Sequence, residues 1–368
     1  MTHRQLFQQI MYYGDFDRMP VLHWAVWDET VERWRGEGLP AFDAADINLQ
    51  GPEVHAFLGT QPLWSFLGAD CGLFPLFEEE DIEVTDEYRV FRDSGGVVVK
   101  DWKGKSSIPH QIEFTLKGAE DWPQYKERLQ PDPARIPANL DNHIAQCLGS
   151  GLAVVVGVGS MMGWIRNWMG VQNMSYLMYE APDVYADMVD TIAELSCWSL
   201  NEILPIAKAA GLTPDLGFGW EDICGSSGPL VSPPVFDAYV APGYRKIRGT
   251  LEAFGIDLLG IDSDGFVEPL LPHWLNAGVN VMFPVEPGTW GATPEHMRER
   301  FGRELRIIGG FDKLALEKNT AAIDAELESH MALMKEGGFL LLPDHFITPG
   351  TPLANYQYYL DRVRALRF

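Results

Sequence analysis

Four cysteines in 368 residues, Cys71, Cys147, Cys197 and Cys224, leave no CxxC pair and no dense framework. A disulfide scaffold and a thiolate zinc cluster are both excluded, and the usage fits a reducing compartment. Basic residues are scarce as well: 28 Lys and Arg stand against 52 Asp and Glu, a formal charge of −24. A nucleic-acid or anionic-membrane partner needs a basic face, so neither is expected. No apolar run reaches the roughly 18 residues that span a bilayer, and Met1–Tyr13 has no apolar signal region. The chain is therefore expected to be cytoplasmic. There is no GxGxxG after the first apolar run, which removes the usual dinucleotide fingerprint. No repeat, low-complexity tract or linker divides the sequence, so residues 1–368 read as one domain.

What is present is an alternation of short apolar runs with helical segments, and 46% hydrophobic residues to fill a core. A helix over Arg4–Tyr13 precedes a first strand, Met19–Trp24. A second strand is expected near Phe74–Phe77, and Leu152–Val158 is the clearest buried one. Asp215–Trp220, Asp257–Ile261, Val279–Val285, Leu305–Ile308 and Phe339–Leu342 follow. Helical patterns cover Pro182–Ala209, Pro233–Phe254, Pro294–Phe301, Ala321–Lys335 and Leu353–Leu366. Eight strands in β-then-α order predict a (β/α)8 TIM barrel with an N-terminal helical extension. Glu83–Trp102 breaks the alternation and reads as an inserted β-hairpin around Asp93–Gly96.

In such a barrel, chemistry gathers at the C-terminal ends of the strands. Those ends carry His23 and Trp24, with Trp27 behind them; Trp164, Arg166, Asn167 and Trp168; Trp220, Glu221 and Asp222; Asp262 and Asp264; Glu286; Asp312; and Asp344 with His345. Helix N-capping accounts for about half of such acidic positions. It accounts less well for Asp262 and Asp264, whose side chains share a face in an extended segment. Two close carboxylates require a raised pKa on one or a bound cation. Arg166 reads as the only strong cation near a strand end, placed to clamp an anion or to pair with a carboxylate such as Glu221. His345, after the last strand, is expected beside His23. Trp24, Trp27, Trp164, Trp168, Trp220 and Trp290 crowd the same rim, which suits a planar or apolar substrate and tolerates a cationic one.

These residues resemble the uroporphyrinogen decarboxylase superfamily, which includes the decarboxylase of haem biosynthesis and zinc methyltransferases that exchange methyl groups with corrinoid proteins. The resemblance rests on Tyr244–Lys246, Gly255–Gly265 (GIDLLGIDSDG), Gly278–Glu286 (GVNVMFPVE), Ile308–Lys313 (IGGFDK), Gly337–His345 (GGFLLLPDH) and Thr348–Pro352. The decarboxylase holds its many carboxylates with an arginine-rich N-terminal motif. Here the corresponding stretch, Leu22–Glu29, has no arginine. The resemblance therefore points to the methyltransferase branch. The zinc ligands of that branch fall on Asp262, Asp264 and His345, with the thiolates replaced. A harder, carboxylate-rich site implies zinc, manganese or iron(II) and an oxygen-bearing methyl donor or acceptor.

The reading is a methyltransferase-like enzyme. It moves a methyl group between a small methoxylated or methylated compound and a corrinoid on a partner protein, with a divalent metal as Lewis acid. Glu221 or His345 would donate the proton, with His23 and Arg166 as further catalytic candidates. Trp24, Trp27, Trp164, Asn167, Trp220 and Glu286 would contact substrate. The alternatives are a decarboxylase of a small acid that uses Arg166, and a non-catalytic ligand-binding barrel.

Overall fold

The computed structural model describes residues 1–42, 47–68, 70–104, 109–287, 291 and 293–368. Among them, seven strands form one parallel sheet. The strands are β1 (Ser65–Leu67), β6 (Val154–Gly157), β7 (Leu216–Trp220), β10 (Leu259–Asp262), β11 (Val281–Val285), β12 (Arg306–Phe311) and β13 (Phe339–Pro343), paired in that order. Their side chains are buried almost throughout, as parallel strands covered by helices require.

The expected first strand is reduced to two parallel bridges, Leu22 to Gln61 and Val26 to Ile347. The Gln61 amide donates to the Val21 carbonyl (2.9 Å) and the Ile347 amide to Ala25 (3.1 Å), so this segment fills the gap between β1 and β13. Pro20 and Pro62 flank one bridge, and neither has an amide hydrogen to extend the ladder. The architecture is thus a TIM-barrel-like ring with a thin seam on one side. The strand expected at Phe74–Phe77 does not form, and its place in the sheet is taken by Ser65–Leu67.

An N-terminal helix, His3–Met11, starts with a reciprocal cap between Thr2 and Gln5 and buries Leu6, Phe7, Ile10 and Met11. It lies under the N-terminal ends of the strands. Its Ile10 carbonyl accepts from Gly338 (2.6 Å), and His3 Nδ1 accepts from the Ala153 amide (3.0 Å). Chemistry is left to the opposite face. The outer helices include Gly163–Glu180, Pro182–Ala209, Ala241–Ala253, Pro294–Phe301 and Leu353–Ala365. The segment expected as one helix over Pro233–Phe254 starts as a short turn, passes through a π-helical stretch at Phe236–Val240, and becomes α-helical at Ala241.

In place of a single hairpin at 83–102 stands a four-stranded antiparallel sheet: β2 (Glu80–Val84), β3 (Tyr88–Arg92), β4 (Val97–Trp102) and β5 (His110–Phe114). Asp93 fixes the β3–β4 turn by accepting from the Gly95 and Val97 amides. β5 escaped the sequence reading because its residues are mostly exposed and polar. Phe114 of β5 lies against the kink of helix Gly163–Glu180 at Gly170, where φ is +75° and a Cβ would sit 2.6 Å from the Phe114 ring. A small hairpin, β8 (Cys224–Gly225) and β9 (Gly228–Pro229), follows β7. No helix among the described residues is long and apolar enough to cross a membrane.

Candidate active site

β10 ends on Asp262, and the chain turns at Gly265. The turn needs glycine there: φ is +86°, and a Cβ would lie 2.3 Å from the Cys224 carbonyl oxygen. Asp262 and Asp264 are thereby held at the mouth. The Asp262 carboxyl is mostly shielded from water, and Asp264, Asp222 and Glu286 surround it; burial first, and then their charges, push its pKa up to about 8. A neutral carboxylic acid therefore stands in the mouth at pH 7.

His345 meets Asp264, with Nε2 and Oδ2 3.3 Å apart. Its Nδ1 accepts from the Phe346 amide (2.7 Å), which places the neutral ring's proton on Nε2, toward Asp264. Trp27 stacks on the imidazole (5.9 Å, 12°), and Trp24 and Phe346 pack around it. Behind Trp24, Phe283, Phe218 and Trp64 form an aromatic wall, with Trp24 and Phe283 centroids 4.7 Å apart.

Lys313 completes the mouth and was missed as a functional candidate in the sequence. Its Nζ lies 3.1 Å from Asp344 and 3.4 Å from Glu286, and Glu286 in turn accepts from the Gly265 amide. A polar chain thus runs across the ends of β13, β12, β11 and β10. Asp344 is fully buried, its Oδ2 has no hydrogen-bond partner among the described residues, and burial raises its pKa to about 6 despite Lys313. The signal that could have found Lys313 was its position after a strand rich in glycine, opposite two acidic strand ends.

Other candidates stand elsewhere. Glu221 is completely buried and accepts from the Met161, Met162 and Gly163 amides at 2.6–3.0 Å, and from the Tyr244 hydroxyl. It caps the helix that begins at Gly163, so its carboxylate is committed to backbone donors and does not face the mouth as a proton donor. Burial still raises its pKa, against those hydrogen bonds. His23 is equally committed. Its Nε2 donates to the Leu49 carbonyl (2.9 Å), so Nδ1 accepts from Tyr356 (2.7 Å), and burial beside His55 lowers its pKa to about 3. It is a neutral wall residue. Arg166 pairs with Asp222 (2.9 Å) instead of Glu221, holds the Asn167 side chain (3.0 Å) and lies over the Trp220 ring. Asp222 sits in the left-handed region (φ +44°), an uncommon conformation for Asp held at the mouth by this pair. Trp164 packs on Trp168, which in turn packs against Tyr125. Trp290 lies outside the described residues.

Among the described residues, no group of three His, Cys, Asp or Glu side chains is placed to hold a metal ion. Asp264 and His345 meet, but among the described residues no third such side chain joins them in a metal-holding group. The expected ligand trio is therefore not a ready donor set.

The fold and this mouth define a TIM-barrel-like protein that keeps its ionisable groups where barrel enzymes keep their chemistry. A family model described as uroporphyrinogen decarboxylase (URO-D) matches residues 110–366. The protein belongs to the uroporphyrinogen decarboxylase family, whose superfamily is one of enzymes. A uroporphyrinogen decarboxylase from Sphingopyxis alaskensis is 27% identical over 119 residues, covering 32% of this chain and 27% of that protein's length. Among solved structures, a methyltransferase from Methanosarcina mazei superposes with a TM-score of 0.58 at 17% identity, covering 99% of this chain and 98% of that one. A B12-independent methionine synthase from Shewanella gives a TM-score of 0.37 at 12% identity, over 78% of this chain and 73% of that one. At 17% identity the likeness to the Methanosarcina protein is one of fold.

Proposed function

We propose that this protein is a methyltransferase that removes a methyl group from a small methoxylated compound and passes it to a corrinoid carried by a partner protein. The observation that carries the reading is Asp262, a shielded carboxyl ringed by Asp222, Asp264 and Glu286 and therefore neutral. When an oxygen–methyl bond breaks, the bonding pair stays on oxygen, which must gain a proton to leave as an alcohol. A methylated ammonium would depart as a neutral amine and need none. A standing acid fits the oxygen case.

The corrinoid supplies the methyl-accepting centre when its carrier protein docks. The chain's own residues do the rest. Trp24, Trp27 and Phe346 enclose the mouth and exclude water, and Asp262 donates its proton to the departing oxygen. The carboxylate left behind faces three others and is driven to recover a proton from solvent. His345, whose Nε2 lies 3.3 Å from Asp264 Oδ2, holds that neighbour in place. Among the described residues, no three His, Cys, Asp or Glu side chains are arranged for the zinc, manganese or iron expected from the resemblance.

The decarboxylase alternative loses its anchor. Arg166 is already paired with Asp222, and Lys313 with Asp344 and Glu286, while a substrate carboxylate would enter a field of like charge. The test is product analysis: the purified protein is incubated with a panel of methyl ethers and chemically reduced cobalamin, and in parallel with small carboxylic acids. Appearance of the demethylated alcohol supports the reading. Carbon dioxide release without alcohol formation would overturn it.

A further inference from the structure

β5 of the inserted sheet and the Gly170 kink of helix Gly163–Glu180 enclose an open cleft of about 650 Å³. Its polar walls are His110 and Gln111 on one side and Arg166, Asn167, Gln172 and Asn173 on the other. None of the described residues lining it is Asp or Glu, in a chain with 52 of them. Residues 105–108, which lie outside the described ones, add no acid in sequence. Hydrogen bonds fix how the amides of the cleft face. Gln111 Nε2 donates to the Asn167 carbonyl (3.2 Å) and Asn173 Nδ2 to the Met169 carbonyl (2.8 Å), which leaves the two side-chain oxygens as acceptors. Asn167 Oδ1 accepts from Arg166 (3.0 Å), which leaves its amino group as a donor. The Arg166 charge itself is spent on Asp222 (2.9 Å). Neutral donors and acceptors stand side by side, the complement of a carboxamide. Beyond the cleft the helix continues as an uncharged surface. From Asn167 to Tyr179 there is no Asp, Glu, Lys or Arg, although Gln172, Tyr176 and Tyr179 form an exposed stripe, the tyrosines by 56% and 70%. Exposed helix faces ordinarily carry charge, and a face that lacks it and displays tyrosine has the composition of an interface core.

We propose that this cleft and the tyrosine stripe beyond it dock the corrinoid carrier, with the cleft receiving carboxamide arms at the edge of the corrin. The identity of the partner rests on the methyl-transfer reading; the binding of a neutral, carboxamide-bearing ligand does not. The cleft adjoins the mouth, because Arg166 lines the one and holds Asp222, a neighbour of Asp262, in the other. A corrin must come to the mouth to take the methyl group, so its carrier covers the ground beside it. The chemistry fits as well. Corrins are fringed with carboxamides, whereas a carboxylate would meet the oxygens of Gln111 and Asn173 with its own lone pairs, and the guanidinium beside them is already paired. A second copy of the chain is the poorer occupant, since it brings a charge of −24 against another −24.

The experiment is equilibrium dialysis of the whole protein against dicyanocobinamide, which carries the carboxamide arms without a nucleotide, and against uroporphyrin, a macrocycle that carries carboxylates instead. The native chain is compared with the double variant Gln111→Ala, Gln172→Ala. Both residues are exposed, so the variant should keep the native melting temperature; should it not, Gln172→Ala alone replaces it. Cobinamide is expected to bind the native chain, and uroporphyrin at least about tenfold more weakly. The double variant is expected to lose about tenfold in cobinamide affinity. No binding of cobinamide, uroporphyrin binding as tightly, or an unchanged affinity in the variant would each overturn the proposal. Sedimentation velocity of the native chain and Tyr179→Asp tests the other occupant: a dimer that the substitution breaks would assign the face to a second copy and overturn it too. Cobinamide binding that the variant weakens, without methyl transfer from any ether, would leave this surface standing and remove the proposed function. Methyl transfer whose KM for reduced cobalamin is indifferent to the variant would do the reverse.

Discussion

Replacing Asp262 by asparagine removes a carboxyl that the fold keeps protonated, and the consequence for stability follows from linkage. The folded-state pKa is about 8 against an ordinary value of 3.8, so the folded protein binds the proton more tightly than the unfolded chain does. The sign is therefore destabilising. Nothing is lost below pH 4, and stability falls progressively as pH rises from 4 to 8. At about 1.4 kcal/mol per pK unit, the penalty is roughly 1–2 kcal/mol at pH 5 and on the order of 5 kcal/mol at pH 9. Part of the side chain reaches solvent, which screens the repulsion, so about half of that difference, ~2 kcal/mol, is the working figure. Asparagine cannot ionise and escapes the penalty. Urea unfolding of native protein and Asp262→Asn at pH 5, 7 and 9 isolates it, because the general effect of a −24 charge is common to both. The variant should gain on the native chain by about 2 kcal/mol between pH 5 and 9. A difference that stays constant or shrinks with pH would show that Asp262 is ionised throughout, and the acid would be gone.

Glu221→Ala should destabilise the fold by on the order of 3 kcal/mol, because it strands three backbone amides and the Tyr244 hydroxyl in a buried place; urea midpoints measure it, and a neutral outcome would return Glu221 to the list of catalytic candidates. His330 is buried between Glu295 (2.7 Å) and Glu326 (3.0 Å); burial pushes its pKa down, but the two carboxylates more than offset it and raise it to about 9. Its contribution is complete below pH 6.5 and is lost as pH rises through 9, so His330→Gln should cost about 3 kcal/mol at pH 6 and much less at pH 10. Metal analysis of the purified protein should find less than one equivalent of zinc, manganese or iron; a tightly held stoichiometric metal, lost in Asp264→Asn, would mean that the mouth rearranges around it.

The sheet strands β6, β7, β10, β11, β12 and β13 were legible in the sequence because each is a short, continuous apolar run between glycines and helical periods. The seam was not. Met19–Trp24 has strand composition, but Pro20 and Pro62 deny it a ladder, and Ser65–Leu67 is too short to stand out. β5 was hidden by its exposed, polar side chains. Within the site, acidic strand ends marked the right face, yet sequence could not show which carboxylate turns outward. Glu221 and Asp222 are neighbours, and the first caps a helix while the second pairs with Arg166 in a left-handed conformation that a sequence pattern does not reveal. His23 carried the right residue type in the right place, but its ring is spent on Leu49 and Tyr356, a partner 333 positions away. Lys313 stood at a strand end but carried no assigned role, because a lone lysine after a strand has no spacing signal and its meaning comes from Asp344 and Glu286 on either side.

The most direct test of the central claim is the pH dependence of methyl transfer from a methyl ether to reduced cobalamin, measured for the native protein and for Asp262→Asn. With Asp262 as the proton donor, the native rate should fall as pH rises through about 8, the pKa its surroundings impose. The variant should lose about 100-fold or more at pH 7 and show no such limb. A native profile without that limb, or an Asp262→Asn protein as fast as the native one, would contradict the assignment.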